Sequence, residues 1–173
     1  SVFFKIFKEI LKTLFQLNIV SLKVKSIPDF YAKQFSDELK YIAQFTQAEI
    51  YQSDISSVIN LSEKFCYSKT KKNLISKANK SRFTVEESKD FKMFWNEILI
   101  PNLRKKHHTN PVHSLEEIIL LKKYFPNNIR LFIVKNNSET YSGVIIFETE
   151  QVAHTQYISA KEGADKNGAH DYL

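Results

Sequence analysis

The sequence has very little cysteine: Cys66 is the one cysteine among 173 residues. A lone cysteine excludes an internal disulfide and a cysteine-based zinc site, and it favours a reducing, cytoplasmic compartment. Cys66 lies in Lys-Phe-Cys-Tyr at 64–67, between aromatic neighbours. We expect a packed thiol there rather than a nucleophile.

Glycine and proline are also scarce, with three and four copies, whereas phenylalanine and tyrosine are abundant, with fourteen and eight. Together with 43% hydrophobic residues, this composition predicts one globular, well-packed chain with no sign of disorder. No run is long and apolar enough to cross a membrane. The nearest candidate, at 2–17, is interrupted by charged side chains: Lys5, Lys8, Glu9 and Lys12.

Charge points to an anionic partner, because the formal net charge is +6 and the pI is near 9.2. Coenzyme A phosphates, an acidic glycan, a phospholipid surface and nucleic acid all fit that balance. The densest basic segment, 67–80, carries Lys69, Lys71, Lys72, Lys77 and Lys80.

That basic segment predicts a helix with two alternative roles. A lysine-rich helix is typical of binding to nucleic acid, including tRNA. However, Leu74, Ile75 and Ala78 form an apolar stripe within it, and no aromatic residue is interleaved for base stacking. We therefore favour a solvated helix face and keep nucleic-acid binding as the alternative.

The first 66 residues predict two helices and two strands. The pattern at 2–17 is strongly amphipathic, which favours a helix packed on a sheet over a helix lying on a membrane surface. Alternation at 19–27 predicts a strand that Pro28 ends, and the pattern at 35–45 predicts a helix. Alternation at 49–61 predicts a second strand, expected to join the sheet of an upstream half.

The middle of the chain predicts a strand at 82–87 and a helix at 91–104, capped by Ser88 or Asp90. Pro101 should kink or end that helix. Beyond it, Lys-Lys-His-His at 105–108 is expected to be an exposed basic corner rather than a metal site, because adjacent histidines point apart.

A capping box marks the next helix, 115–125. Ser114 and Glu117 have the required spacing, so both have a structural task without any chemistry. His113, just before the cap, is freer to act and is a candidate catalytic residue.

Three strands are predicted next, at 129–135, 141–149 and 151–159, joined as a meander. A loop containing Gly163 and a helix beginning near Gly168 follow. Backbone N–H groups converge at such an end, which suits an anionic ligand. His154 on the third strand and Glu148 or Glu150 on the second could form a base with an orienting partner.

From the strand order and these motifs, the chain resembles the GNAT acyltransferase superfamily. More specifically, it resembles a bacterial branch that is similar to Fem-type aminoacyl transferases and often tied to cell-surface polysaccharide genes. The runs that carry the resemblance are 110–118, 125–129, 147–149, 152–158 and 168–169.

The resemblance implies an α+β fold with a mixed, largely antiparallel sheet flanked by helices. It assigns 1–66 to the end of an upstream GNAT-like half and 67–173 to the start and centre of a second half, truncated at its C-terminus. Uncovered apolar surface on such a fragment predicts self-association, for example as a homodimer.

The resemblance also implies a donor site for acyl-CoA such as acetyl-CoA, with no metal. The pantetheine arm and pyrophosphate would be held by Tyr157, Ile158, Ser159, Gly163, Asn167, Gly168 and Ala169. Asp165 stands where relatives that use acyl-CoA typically have Gln or Arg, and its charge opposes pyrophosphate. Aminoacyl-tRNA is therefore the alternative donor.

The resemblance and the residues together predict an N-acyltransferase acting on an amine of a sugar or cell-wall precursor. A non-catalytic GNAT-like module that binds a glycan or a protein partner is the alternative. Nucleic-acid binding through the lysine-rich helix is the third hypothesis.

Overall fold

The computed structural model describes residues 2–173, except for the side chain of Asp165. The chain divides into two compact units between Ile59 and Asn60. The assignment of 1–66 and 67–173 to two GNAT-like halves stays a prediction.

The first unit is built from two helices with a small shared core. Its elements are helix α1 (Val2–Gln16), a 3₁₀ turn (Asp29–Tyr31) and helix α2 (Glu38–Phe45). The Phe4 ring lies edge-on to Phe45, with ring centroids 4.8 Å apart, and Ile42 is buried. The amphipathic pattern predicted the helix α1 correctly, but not its expected packing on a sheet, because the described residues of this unit form no strand and α1 packs on α2. Helix α2 begins three residues later than expected.

The predictions of strands at 19–27 and 49–61 were wrong, because neither segment forms a strand. Val20 and Ile55 are fully exposed. Alternating apolar residues favour an extended chain, but a strand is stabilised by pairing with a neighbour. Neither segment has such a neighbour among the described residues.

The second unit contains a sheet and the remaining helices. Its strands are β1 (Thr84–Ser88), β2 (Ile129–Asn136), β3 (Glu139–Glu148) and β4 (Ala153–Ala160). Its helices are α3 (Lys69–Lys80), α4 (Phe91–Met93), α5 (Ile100–His107), α6 (Leu115–Tyr124), α7 (Ala164–Asn167) and α8 (Ala169–Tyr172), with a π-helical turn at Phe94–Leu99.

The four strands form one antiparallel sheet in the order β1-β2-β3-β4. Strands β2 and β3 are joined by a two-residue turn in which Asn137 has a φ of 53°, a conformation that asparagine tolerates. Strands β3 and β4 are adjacent and antiparallel. The predicted meander and the α+β class are therefore confirmed.

One face of the sheet carries the main core. Phe94, Ile98 and Leu99 of the π-helical turn pack there with Leu131 of β2 and Ile145 of β3, all almost fully buried. Since neighbouring strand residues alternate between faces, this layer accounts for the apolar periodicity of β2 and β3.

Pro101 does not end the helix, contrary to one of the two expected outcomes. The chain stays helical through His107, but the turn before the proline is π-helical, with Ile100 N–H donating to the carbonyl of Trp95. A proline ring contacts the carbonyl four residues back in a regular helix. The wider turn relieves that contact, and π-turns of this kind occur within helices.

The opposite face is covered at one end by α3, α7 and α8. Ala78 of α3, Ala164 of α7 and Ala169 of α8 are buried there with Val134 of β2. Gly168, with a φ of 79°, lies so close to the backbone of Leu74 in α3 that a Cβ atom would overlap its carbonyl.

Elsewhere on this face the apolar side chains Val85 and Ile158 are 43% and 50% exposed. The expected homodimer stays a prediction.

Among residues 2–173, no helix is both long and apolar enough to span a membrane.

We predict that Gly168→Ala destabilises the protein more than Gly163→Ala. Both glycines have positive φ, so each substitution should cost about 1 kcal/mol of unfolding free energy for backbone strain. At Gly163 a Cβ would meet nothing within 4 Å. At Gly168 the overlap with Leu74 should add about 1–3 kcal/mol.

Chemical denaturation of the two variants measures this difference. Equal losses in the two variants would mean that α3 and α8 do not approach as closely as described.

Candidate functional site

The structure brings together two of the residues singled out from the sequence, His113 and Tyr157. The Tyr157 hydroxyl oxygen lies 2.7 Å from His113 Nδ1 and accepts the His113 backbone N–H at 3.1 Å. The two residues are 44 positions apart in the chain, and both are partly buried. They form a hydrogen-bonded pair between β4 and the start of α6.

Two elements fix the geometry of this pair. The capping box predicted for α6 is present: Ser114 Oγ accepts the Glu117 N–H, and Glu117 Oε2 accepts the Ser114 N–H at 2.6 Å. It holds the backbone directly after His113. On the other side, the buried Trp95 ring lies edge-on to Tyr157, with centroids 5.0 Å apart.

The hydrogen bonds leave His113 Nε2 as the ring nitrogen that can meet a ligand. The hydroxyl oxygen of Tyr157 has two lone pairs, of which the His113 amide takes one. When Nδ1 carries the ring proton it can donate to the other, and Nε2 then has a free lone pair. The arrangement therefore suits a general base or a ligand contact through Nε2.

Ser159 is buried and holds β4 against the helical layer. Its Oγ accepts a hydrogen bond from Asn102 Nδ2 at 2.9 Å and lies 3.4 Å from the carbonyl oxygen of Ile98. These contacts give the side chain a structural task. Only the backbone of Ser159 could take part in the donor groove expected from the sequence.

β4 is an edge strand, with no described strand on its outer side. Lys161 N–H donates to the carbonyl of Tyr141 on β3, and bonded pairs alternate along an antiparallel ladder. The next bonded pair is therefore Gly143 with Ser159. The backbone groups of Ile158 and Ala160 therefore point away from β3, but of the two residues only Ile158 is exposed, whereas Ala160 is buried.

The strand is also irregular at one place. The register shifts between Ile145 and Ile146 of β3, so that Gln156 is an extra residue on β4. A bulge of this kind re-aims the neighbouring side chains. Tyr157, which follows it, points toward Trp95 and His113.

Most backbone N–H groups of the loop after β4 already donate hydrogen bonds within the loop. The N–H groups of Ala164, Lys166 and Gly168 donate to carbonyls within the loop, and Asn167 Oδ1 accepts the Ala169 N–H at 3.2 Å. We expected the N–H groups from Gly163 to Ala169 to point into a groove.

For those four donors that expectation was wrong, because the two short helical turns satisfy them internally. Gly163 remains exposed, and Lys105 Nζ lies 2.6 Å from Glu162 Oε2, holding the pKa of that carboxyl below its usual range. The side chain of Asp165, on which the choice of donor was argued, lies outside the described residues.

Glu148 and His154 do not form the pair considered from the sequence. The register places Glu148 opposite Ala153 and His154 opposite Phe147, so the two side chains lie on opposite faces of the sheet. Glu150 lies in the turn beyond β3.

The Glu148 carboxylate instead binds Arg130, which also binds Glu87, with N–O distances of 3.0 and 2.8 Å. Glu148 thereby has a structural partner across the sheet. The catalytic role suggested for His154 stays a prediction.

Two other sequence expectations concern metals and thiols. Within the described residues, no group of three or more His, Cys, Asp and Glu side chains is arranged to hold a metal ion. His107 and His108 are exposed, as expected for a basic corner. Cys66 was expected to be packed but is exposed, because 46–68 forms no helix or strand that could cover it.

Trp95 and Asn102 are the site residues that sequence reasoning missed. Trp95 is the single tryptophan of the chain, and it lies within the helix predicted at 91–104. Its contact with Tyr157 joins residues 62 positions apart, which helical periodicity does not reveal.

The chain matches no protein-family model and no curated protein.

We predict that Arg130→Met raises the pKa of Glu87. The hydrogen bond from Arg130 is the main cause that holds this pKa below its ordinary value, which is about 4.3. A carboxyl with a lowered pKa stabilises the fold above the pKa of the unfolded chain and loses that effect as the pH falls. The variant should therefore lose more stability at neutral pH than at acidic pH.

NMR titration measures the pKa of Glu87, and denaturation at two pH values measures the stability. Lys135→Met is a matched control, since Lys135 pairs with Glu86 instead and should leave Glu87 unchanged. A loss of stability that is independent of pH would contradict the assignment.

Proposed function

We propose that the chain is part of a GNAT-like N-acyltransferase that transfers an acyl or aminoacyl group to an amine of a sugar or cell-wall precursor. The observation that carries the proposal is the hydrogen-bonded pair of His113 and Tyr157 beside the open edge of β4. Backbone groups that bind a donor and a side chain that moves a proton are what this transfer requires.

Transfer of the acyl group requires one proton acceptor near the attacking amine. The amine nitrogen forms a bond to the carbonyl carbon of the donor, and the bond from that carbon to the thioester sulfur or ester oxygen breaks. His113 Nε2 takes the proton released by the amine and returns it to the leaving sulfur or oxygen. Tyr157 keeps the ring oriented by accepting the N–H at Nδ1.

The donor would lie along the outer edge of β4. The outward backbone groups of Ile158, which is 50% exposed, can hydrogen-bond an extended amide-containing arm such as pantetheine, in the way an added strand does. Tyr157 lies one residue away, so its partner His113 is near the same part of this edge.

The donor itself remains a choice between acyl-CoA and aminoacyl-tRNA. The satisfied N–H groups of Ala164, Lys166, Gly168 and Ala169 offer little to a pyrophosphate, which supports aminoacyl-tRNA over acetyl-CoA. The same observation favours the second candidate function, a non-catalytic GNAT-like module that binds a glycan or a protein.

We predict that His113→Gln lowers acyl transfer about 10²–10⁴-fold, the usual contribution of a positioned base. Tyr157→Phe removes one hydroxyl but keeps the ring against Trp95, so it should cause a smaller loss. The assay follows acylation of a panel of amino sugars with acetyl-CoA or charged tRNA as the donor.

His107→Gln is the matched control, since His107 is exposed on α5 and should change nothing. Thermal unfolding verifies that each variant is folded. Full activity in folded His113→Gln would remove the residue from the mechanism. Binding of a glycan without transfer from either donor would support the non-catalytic module.

A further inference from the structure

The structure divides the lysine-rich helix α3 into two faces with different tasks. Residues three and four apart lie on the same side of a helix. One side carries Lys71, Leu74, Ile75 and Ala78, and the other carries Lys69, Lys72, Asn73, Ser76 and Lys80.

The first side is the face that packs on the rest of the unit. Ala78 is fully buried, and the backbone of Leu74 lies against Gly168. Lys71 makes an ion pair with Asp171 of α8, whose side chain is only 6% exposed. Lys71 is thus a packing residue, although the sequence alone does not separate it from the other lysines.

Lys77, at the border between the two sides, also makes a contact within the protein. Its Nζ donates to the backbone carbonyl of Lys166 in α7 at 2.6 Å. This contact keeps α7 beside α3 and adds the exposed Lys166 to the same surface.

The second side is cationic and carries no acidic residue. Lys69, Lys72 and Lys80 are all exposed, and α3 contains neither Asp nor Glu. No carboxylate among the described side chains, which do not include that of Asp165, pairs with these three lysines. We call Lys69, Lys72 and Lys80 the outer lysines.

We propose that the outer lysines bind the phosphate backbone of a nucleic acid. Lys69 and Lys80 are eleven steps apart along the helix, or about 16 Å at 1.5 Å per residue. That length matches about five phosphates at 3.4 Å per strand. The buried Ala78 and the Lys71–Asp171 ion pair fix α3 on the unit with the outer lysines turned toward solvent.

The chemistry of this face selects among the anionic partners that the net charge allows. A membrane-surface helix inserts apolar side chains beside its lysines, but the side of α3 that carries the outer lysines has only Asn73 and Ser76 between them. Sequence is read through contacts to base edges, and stacking of bases needs aromatic rings, of which this face has none. Binding should therefore be independent of sequence and sensitive to salt.

The test is fluorescence anisotropy with a labelled 20-nucleotide single-stranded RNA of mixed sequence, titrated with the whole chain at several salt concentrations. We expect a Kd on the order of 10⁻⁵ M at low salt. Three phosphate contacts should give a slope of log K against log salt of about −2.

The decisive variant replaces Lys69, Lys72 and Lys80 by Gln. It should weaken binding about tenfold or more and flatten the salt slope toward zero. The matched control replaces Lys5, Lys8 and Lys12 of α1 by Gln, which removes the same charge from another helix and should leave Kd within about twofold.

Equal weakening by the two triple variants would overturn the proposal, because it would show a general effect of net charge. So would the absence of RNA binding at 50 mM salt, or binding to anionic phospholipid vesicles that RNA does not displace. This proposal does not rest on the proposed acyltransferase function. If the variant of the outer lysines loses RNA binding but still transfers acetyl groups from acetyl-CoA to amino sugars, the two functions are separate.

Discussion

The packing of the π-helical turn Phe94–Leu99 on one face of the sheet is the constraint on which the second unit depends. Phe94, Ile98 and Leu99 are buried against Leu131 and Ile145. Replacing one such side chain by alanine in a tight core commonly costs about 2–5 kcal/mol. The same turn brings Trp95 to the place where it meets Tyr157.

That layer also explains why the candidate site is where it is. The sheet presents Tyr157 toward the helical layer, and the bulge at Gln156 directs it between Trp95 and the start of α6. The capping box at Ser114 and Glu117 fixes the backbone on the other side. The pair of His113 and Tyr157 is thus a product of tertiary packing, assembled from three separate elements.

Local patterns predicted the parts of the fold that local forces determine. The meander from 129 to 160 and the capping box at Ser114 depend on alternation and on spacings of a few residues. The strands expected at 19–27 and 49–61 had the same alternation, but a strand also needs a partner, which propensity does not supply. The pattern could not show that difference.

The site was predictable only in part, for the same reason. His113 and Tyr157 were each singled out, but their contact across 44 positions could not be seen. Glu148 and His154 were placed on neighbouring strands correctly, while the register that separates their faces became visible only in three dimensions. Gly168 was assigned to ligand binding, and the structure shows its close approach to Leu74.

We propose that a donor binds along the outer edge of β4, next to His113. The most direct measurement is an NMR titration of the backbone amides with acetyl-CoA and, separately, with charged tRNA. We expect at least one donor to shift the amide of Ile158 and the ring of His113. The amide of Val85, on the opposite edge strand of the sheet, should stay unchanged. Shifts that spare β4 and His113 with both donors would show that the donor does not bind at this edge.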